Sequence, residues 1–283
     1  MYTTLISATQ LASLSEQANT VILDCRHDLM DASFGQKAYA TGHLPGAQFA
    51  HLDLHLSGKK LAADGSFNGR HPLPDRDQFI QNLQAWGINN DTQVIAYDAH
   101  GGMYAARLWW LLRWVGHAAV AVLDGGLPAW TALGLPLSQS EPQLACGAIQ
   151  ARPSLVSQVS VDQVLANVAS SELILVDARS PDRYRGENES IDPVGGHIPG
   201  AKNRFFKDNL QVDGSFKSAL QLRQEWSTVL TDSNKAIMQC GSGVTACHNL
   251  LALEVAGYTG ASLYPGSWSQ WCAVAERPVA LGA

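Results

Sequence analysis

Residues 236–258 read AIMQCGSGVTACHNLLALEVAGY. An apolar run of strand length ends at Cys240, a hexad with two glycines follows, and an apolar run of helical length begins near Thr245. Such a handover through glycines marks a β-strand feeding an α-helix. In parallel sheets flanked by helices, ligands bind beyond the carboxyl ends of the strands, where these loops lie. Cys240 stands at one of those ends.

The chain carries this unit twice. Residues 94–117, VIAYDAHGGMYAARLWWLLRWVGH, hold the corresponding place earlier on. VILDCRHD at 21–28 is echoed by LILVDARSPD at 173–182, GHLPGA at 42–47 by GHIPGA at 196–201, and DGSF at 64–67 by DGSF at 213–216. VLDGGLPAW at 122–130 parallels SLYPGSWSQW at 262–271. Repeats of roughly 140 residues are domain-sized rather than solenoid units. The expectation is two tandem α/β domains, 1–137 and 155–283, joined by the polar segment SQSEPQLACGAIQARPS at 138–154. Strands are expected at 21–24, 94–97, 120–123, 173–177, 236–239 and 262–264. Helices are expected at 8–17, 75–86, 103–115, 160–169, 218–230 and 245–256.

Composition narrows the partners. The 283 residues are 46% hydrophobic and 16% charged, enough apolar material for sizeable cores, with a formal net charge of −6. No basic stripe points to nucleic acid. No run of eighteen apolar residues points to a membrane. Five scattered cysteines without a CxxC pair fit reduced thiols, so the expected location is cytoplasmic.

A thiol is a nucleophile only as its thiolate, which a helix N-terminus with converging amides favours. Gly241 and Gly243 allow successive N–H groups to turn inward, and Ser242 and Thr245 add hydroxyl donors around Val244. Three other readings compete. A buried structural cysteine is the plain one, and it suits Cys25, Cys146, Cys272 and Cys247. GSGVTA fits a dinucleotide fingerprint, but the next strand ends in Pro-Gly without a ribose-binding acid. A phosphate-binding Cys-x5-Arg loop needs an arginine where Ala246 stands. The earlier copy has Asp98 in place of Cys240, so one loop is reactive and its twin is not. No metal is expected, because Cys240, Cys247 and His248 lack zinc-ligand spacing, and no cofactor motif stands out.

GHxPGA in both copies, a Cys-first hexad in the second only, and YPGSWSQW after it resemble the two-domain rhodanese family of sulfurtransferases. The likeness spans essentially the whole chain. The loop CGSGVT is similar to that of the 3-mercaptopyruvate sulfurtransferases within the family. Thiosulfate-preferring members carry basic residues where Gly241 and Ser242 stand.

The resemblance implies transfer of a sulfane sulfur from a small anionic donor through a Cys240 persulfide to cyanide, a thiol or a thioredoxin-like acceptor. It also implies that His71, in NGRHPLP at 68–74, forms a relay with Cys240 and Ser242, with Asp53 as the supporting acid. A donor carboxylate calls for guanidinium, and Arg179, Arg183 and Arg185 are the candidates. Arg183 matches the family's substrate arginine, and Arg179 equally suits a structural ion pair, as its twin Arg26 does. The family's second substrate arginine is replaced by Asp192, with Arg185 or Arg204 as possible substitutes. Thiosulfate as donor, or a persulfide relay without a small-molecule donor, are the alternatives. The symmetry of His43 and His197 suggests that they serve the fold.

Overall fold

The computed structural model describes residues 1–14 and 19–282. The chain divides into two compact units. The first comprises Met1–Ser57, Pro74–Leu155 and Leu210–Phe216, and the second comprises Gly58–Leu73, Val156–Asn209 and Lys217–Ala283. Each unit therefore takes most of its residues from one sequence copy and a loop from the other. Both exchanged loops carry DGSF. Residues 138–154 fall in the first unit, where the His43 N–H donates to the Ser138 carbonyl at 2.9 Å.

Among the described residues, the first unit holds five strands, Leu5–Ile6 (β1), Thr20–Asp24 (β2), Ala47–Phe49 (β3), Gln93–Tyr97 (β4) and Val120–Leu123 (β5). The second holds Ser157–Gln158 (β6), Ile174–Asp177 (β7), Lys202–Asn203 (β8), Ala236–Gln239 (β9) and Ser262–Leu263 (β10). The sheet orders, β1-β5-β4-β2-β3 and β6-β10-β9-β7-β8, are the same topology written twice. Every pairing between these strands is parallel. β4 and β9 are buried along their whole length, as central strands covered on both faces must be.

The helices of the first unit are Ala8–Leu14 (α1), Phe34–Thr41 (α2), Leu52–His55 (α3), Arg76–Ala85 (α4), Ala105–Trp114 (α5) and Gly126–Ala132 (α6). Those of the second are Val161–Ser170 (α7), Pro181–Arg185 (α8), Ala219–Ser227 (α9), Thr245–Val255 (α10) and Ser267–Trp271 (α11). α10 is buried from Ala246 to Leu253, and its polar Asn249 is satisfied by the Asn209 side chain at 2.7 Å and the Arg204 carbonyl at 3.0 Å. Ser160 and Gln163 form a reciprocal capping box at the start of α7. Positions 15–17 of the expected first helix lie outside the described residues.

The GHxPGA elements are fold anchors. The His43 ring stacks on Tyr39 at 3.9 Å with its Nδ1 2.8 Å from the Tyr39 carbonyl. His197 repeats this on Tyr184, at 3.8 Å and 2.9 Å. The Asp-x-Arg strand ends are mirrored as well. Arg26 pairs with Asp24 and donates to the Gly42 carbonyl at 2.7 Å, and Arg179 pairs with Asp177 and donates to the Gly196 carbonyl at 2.6 Å.

Candidate active site

Cys240 follows the last residue of β9 and is 2% exposed. Its N–H donates to the Ser267 Oγ at 3.1 Å, and its carbonyl accepts the Trp268 N–H at 3.0 Å. The Gly241 carbonyl accepts the Ser269 N–H at 2.9 Å. Ser267 is in the left-handed region at φ 52°, which only glycine adopts without cost. Its hydroxyl in turn donates to the Tyr264 carbonyl at 2.9 Å, so the strained residue serves the cysteine's own amide. The segment expected to parallel VLDGGLPAW is thus a brace for the Cys240 loop.

The two loop glycines have separate reasons. Gly243 sits at φ 76°, and a Cβ there would collide with the Pro265 carbonyl oxygen. Gly241 leaves room for guanidinium groups: a Cβ there would meet the Arg70 Nη2 at 2.7 Å and the Arg183 Nη2 at 3.7 Å. Val244 precedes α10 and Thr245 opens it. Cys247, one turn in, donates its thiol to the Gly243 carbonyl at 3.3 Å.

His71 and Ser242 meet. The imidazole Nδ1 lies 2.8 Å from the Ser242 Oγ, and both residues are 6% exposed. His71 reaches the second unit because residues 58–73 belong to it. There the Arg70 N–H donates to the Ser269 Oγ at 3.1 Å, which pins the chain just before the histidine.

An ion-pair cluster surrounds the loop. Arg183 pairs with Glu189 at 2.8 Å and with Asp192 at 3.4 Å. Arg70 is in short contact with the other carboxylate oxygen of Asp192. Burial works against the charge on Arg70, and Cys240 is the largest influence favouring it. Arg179 pairs with Asp177 at 2.7 Å and Glu189 at 3.4 Å, and stacks its guanidinium 4.7 Å from the Trp268 ring. Burial opposes its charge too, but Asp177 and then Glu189 outweigh that and hold its pKa above the ordinary value.

These placements sort the expected arginines. Arg183 stands beside Gly241. Arg179 was expected among the substrate-binding residues, but its guanidinium is committed to Asp177, Glu189 and the Gly196 carbonyl, so the geometry favours the structural role. Arg185 pairs with Glu187 at 2.7 Å on the surface. Arg204 pairs with Glu225 at 2.5 Å. Sequence reasoning passed over Arg70, although it adjoins His71 in the same heptad. Asp53 is in the first unit at the start of α3, where His27, His51 and Asp53 offer ligand atoms within 4.8 Å of one another.

The twin loop at Asp98 wraps an anion. The Asp98 carboxylate accepts the N–H groups of His100, Gly102, Tyr104 and Ala105 at 2.8 to 3.0 Å. The corresponding residues after Cys240 are Ser242, Val244, Ala246 and Cys247. Four amides converging on two oxygens is the anion nest that a strand-to-helix turn builds.

The second unit thus holds a cysteine at the head of a helix, a Ser–His pair and two guanidiniums in a parallel α/β frame that occurs twice. The Rhodanese-like domain model matches residues 7–133 and 160–274, more than half of the chain, which belongs to the rhodanese family. A Pseudomonas aeruginosa protein named "Probable 3-mercaptopyruvate sulfurtransferase" is 45% identical, over 98% of this chain and 98% of that protein. The thiosulfate sulfurtransferase of Mus musculus is 36% identical over 83% of this chain and 79% of its own length. The solved 3-mercaptopyruvate sulfurtransferase from Leishmania major superposes with a TM-score of 0.85 at 30% identity, covering 98% of this chain and 75% of that one. Among the described residues no helix is long and apolar enough to cross a membrane.

Proposed function

We propose that the chain transfers a sulfane sulfur from 3-mercaptopyruvate to a thiophilic acceptor, with Cys240 as the carrier. The supporting observation is the pair of guanidiniums, Arg70 and Arg183, facing Gly241 next to Cys240. A 2-oxo carboxylate is the kind of anion that two planar guanidiniums hold in one orientation. Arg70 then takes the place of the second family arginine that Asp192 displaces.

In the first half-reaction the Cys240 thiolate attacks the donor's sulfur. An S–S bond forms, the donor's C–S bond breaks, and its electron pair passes to the carbon of the pyruvate enolate. The thiol proton of the donor leaves and a proton reaches that carbon, giving pyruvate and the Cys240 persulfide. The His71–Ser242 pair is placed to carry this proton, since the imidazole Nδ1 and the Ser242 hydroxyl are within hydrogen-bonding reach. In the second half-reaction an acceptor such as cyanide or a thiolate attacks the outer sulfur, and the electron pair of the S–S bond returns to Cys240. The amides of Ser242, Val244, Ala246 and Cys247 would hold the persulfide's negative charge as their twins hold Asp98.

A second reading has thiosulfate as the donor, favoured by the thiosulfate sulfurtransferases among the relatives. Purified protein supplied with each donor and cyanide separates the two. Pyruvate and thiocyanate should form together and faster from 3-mercaptopyruvate. Preferred turnover of thiosulfate would overturn the donor assignment. Unchanged turnover in Arg183→Ala would favour a relay that recognises no small donor.

A further inference from the structure

Asp192 is 3% exposed at its side chain and touches both arginines of the proposed donor site, Arg70 through one oxygen and Arg183 through the other. Its N–H donates to Glu189 Oε1 at 3.1 Å, and Glu189 itself is 4% exposed and binds Arg183 and Arg179. Asp177 completes the set on Arg179. Arg70, Arg179 and Arg183 are therefore matched by Asp177, Glu189 and Asp192, and the ion-paired cluster carries no surplus positive charge.

A balanced cluster treats anions by their charge. A monoanionic carboxylate adds one negative charge beside a neutral set and can share the two guanidiniums with Asp192. A dianion adds two, and its second charge meets Asp192 in a site where burial leaves Coulomb terms weakly screened. Arg70 and Arg183 both come beside Gly241, next to Cys240, and both already bind Asp192, so a donor anion held at this loop shares its guanidiniums with that carboxylate.

We infer that Asp192 is a specificity determinant: its carboxylate discriminates against dianionic sulfur donors such as thiosulfate and favours monoanionic 2-oxo carboxylates. The inference rests on the sulfur-transfer reading for its donors, while the charge balance stands on the geometry alone. It also answers what a carboxylate does where the family pattern has an arginine. Asp192 hands Arg70 its position and withholds the extra positive charge.

The test compares wild type, Asp192→Asn and Asp192→Glu. The first readout is kcat/KM for thiosulfate and for 3-mercaptopyruvate, separated into kcat and KM. The neutral variant should raise the thiosulfate-to-mercaptopyruvate ratio by about tenfold, through KM, as removal of one nearby like charge predicts. The charge-conserving Glu variant should hold the ratio within about twofold. The second readout needs no turnover: protection of Cys240 from iodoacetamide by sulfate and by acetate. Asp192→Asn should tighten sulfate far more than acetate.

Equal changes for both donors and both protecting anions would reduce Asp192 to a structural ion pair and overturn the inference. A ratio that moved against thiosulfate would overturn it as well. If neither donor turned over in any variant while the sulfate selectivity still changed, the proposed function would fall and the charge discrimination would stand.

Discussion

His71 Nδ1 and Ser242 Oγ stand 2.8 Å apart although 171 positions separate them in the chain. The loop that delivers the histidine is numbered with the first sequence copy and folded into the second unit. Its neighbour Arg70 arrives by the same route. One exchanged loop therefore brings both a proton carrier and a guanidinium to the Cys240 turn, and both are open to separate tests.

Replacing the proton carrier should slow chemistry more than binding. Ser242→Ala and His71→Gln are each expected to lower kcat with 3-mercaptopyruvate by about a hundredfold, typical of a lost general acid–base group. KM should change little. The double variant should cost scarcely more than either single one, because the two act as a unit. Additive losses in steady-state assays would separate the residues.

The guanidiniums should behave in the opposite way. Arg183→Ala and Arg70→Ala each remove a charge-assisted contact of about 2 kcal/mol, which appears as a rise in donor KM of roughly thirtyfold. Lysine at either position should restore the charge but not the planar two-point grip, so recovery should be partial. Arg179→Ala should act differently. It leaves Asp177 buried without its partner and should destabilise the fold by about 3–5 kcal/mol, read by urea unfolding.

Asp98 offers a check on the nest. In Asp98→Asn the amide nitrogen cannot accept the N–H groups that now converge on two carboxylate oxygens. A loss of about 2–4 kcal/mol in the stability of the first unit is expected. Unchanged unfolding would mean that the four bonds carry little energy.

Acid should weaken the first unit through the buried His117 and the half-buried His55. Burial holds the pKa of His117 below the ordinary 6.5, and burial with the nearby His51 does the same for His55. Both stay neutral in the fold, so protons bind the unfolded chain more readily. Their stabilisation is complete above about pH 6.5 and is lost as pH falls from there toward the lowered folded values. Melting temperature should decline over that window, and His117→Gln should flatten the slope. A profile in His117→Gln parallel to wild type would contradict this.

Much of the frame was legible in the sequence because long apolar strands and amphipathic or buried helices print a period. β2, β4, β5, β7, β9 and β10 lie within a residue of their expected spans, as the strand stretches at 94–97 and 236–239 illustrate. The edge strands β1, β3, β6 and β8 were not legible, since two or three residues are too few for alternation to show, whereas the equally short β10 was placed by its parallel with VLDGGLPAW in the first copy. Short helices such as α3, α6 and α8 escaped for the same reason. At the site, Cys240, Ser242 and His71 carried motif signals. Arg70 and Ser267 did not, because their roles come from tertiary placement: one arrives on an exchanged loop, and the other takes a left-handed backbone that serine rarely adopts. The exchange itself leaves no mark on a repeat pattern read along the chain.

The central claim is that Cys240 carries the sulfur. Intact-protein mass spectrometry after brief exposure to 3-mercaptopyruvate, without acceptor, tests it most directly. The account predicts a gain of one sulfur atom, mapped to the peptide containing Cys240, lost on adding cyanide and absent in Cys240→Ser. Turnover without that adduct, or an adduct that persists in Cys240→Ser, would contradict it.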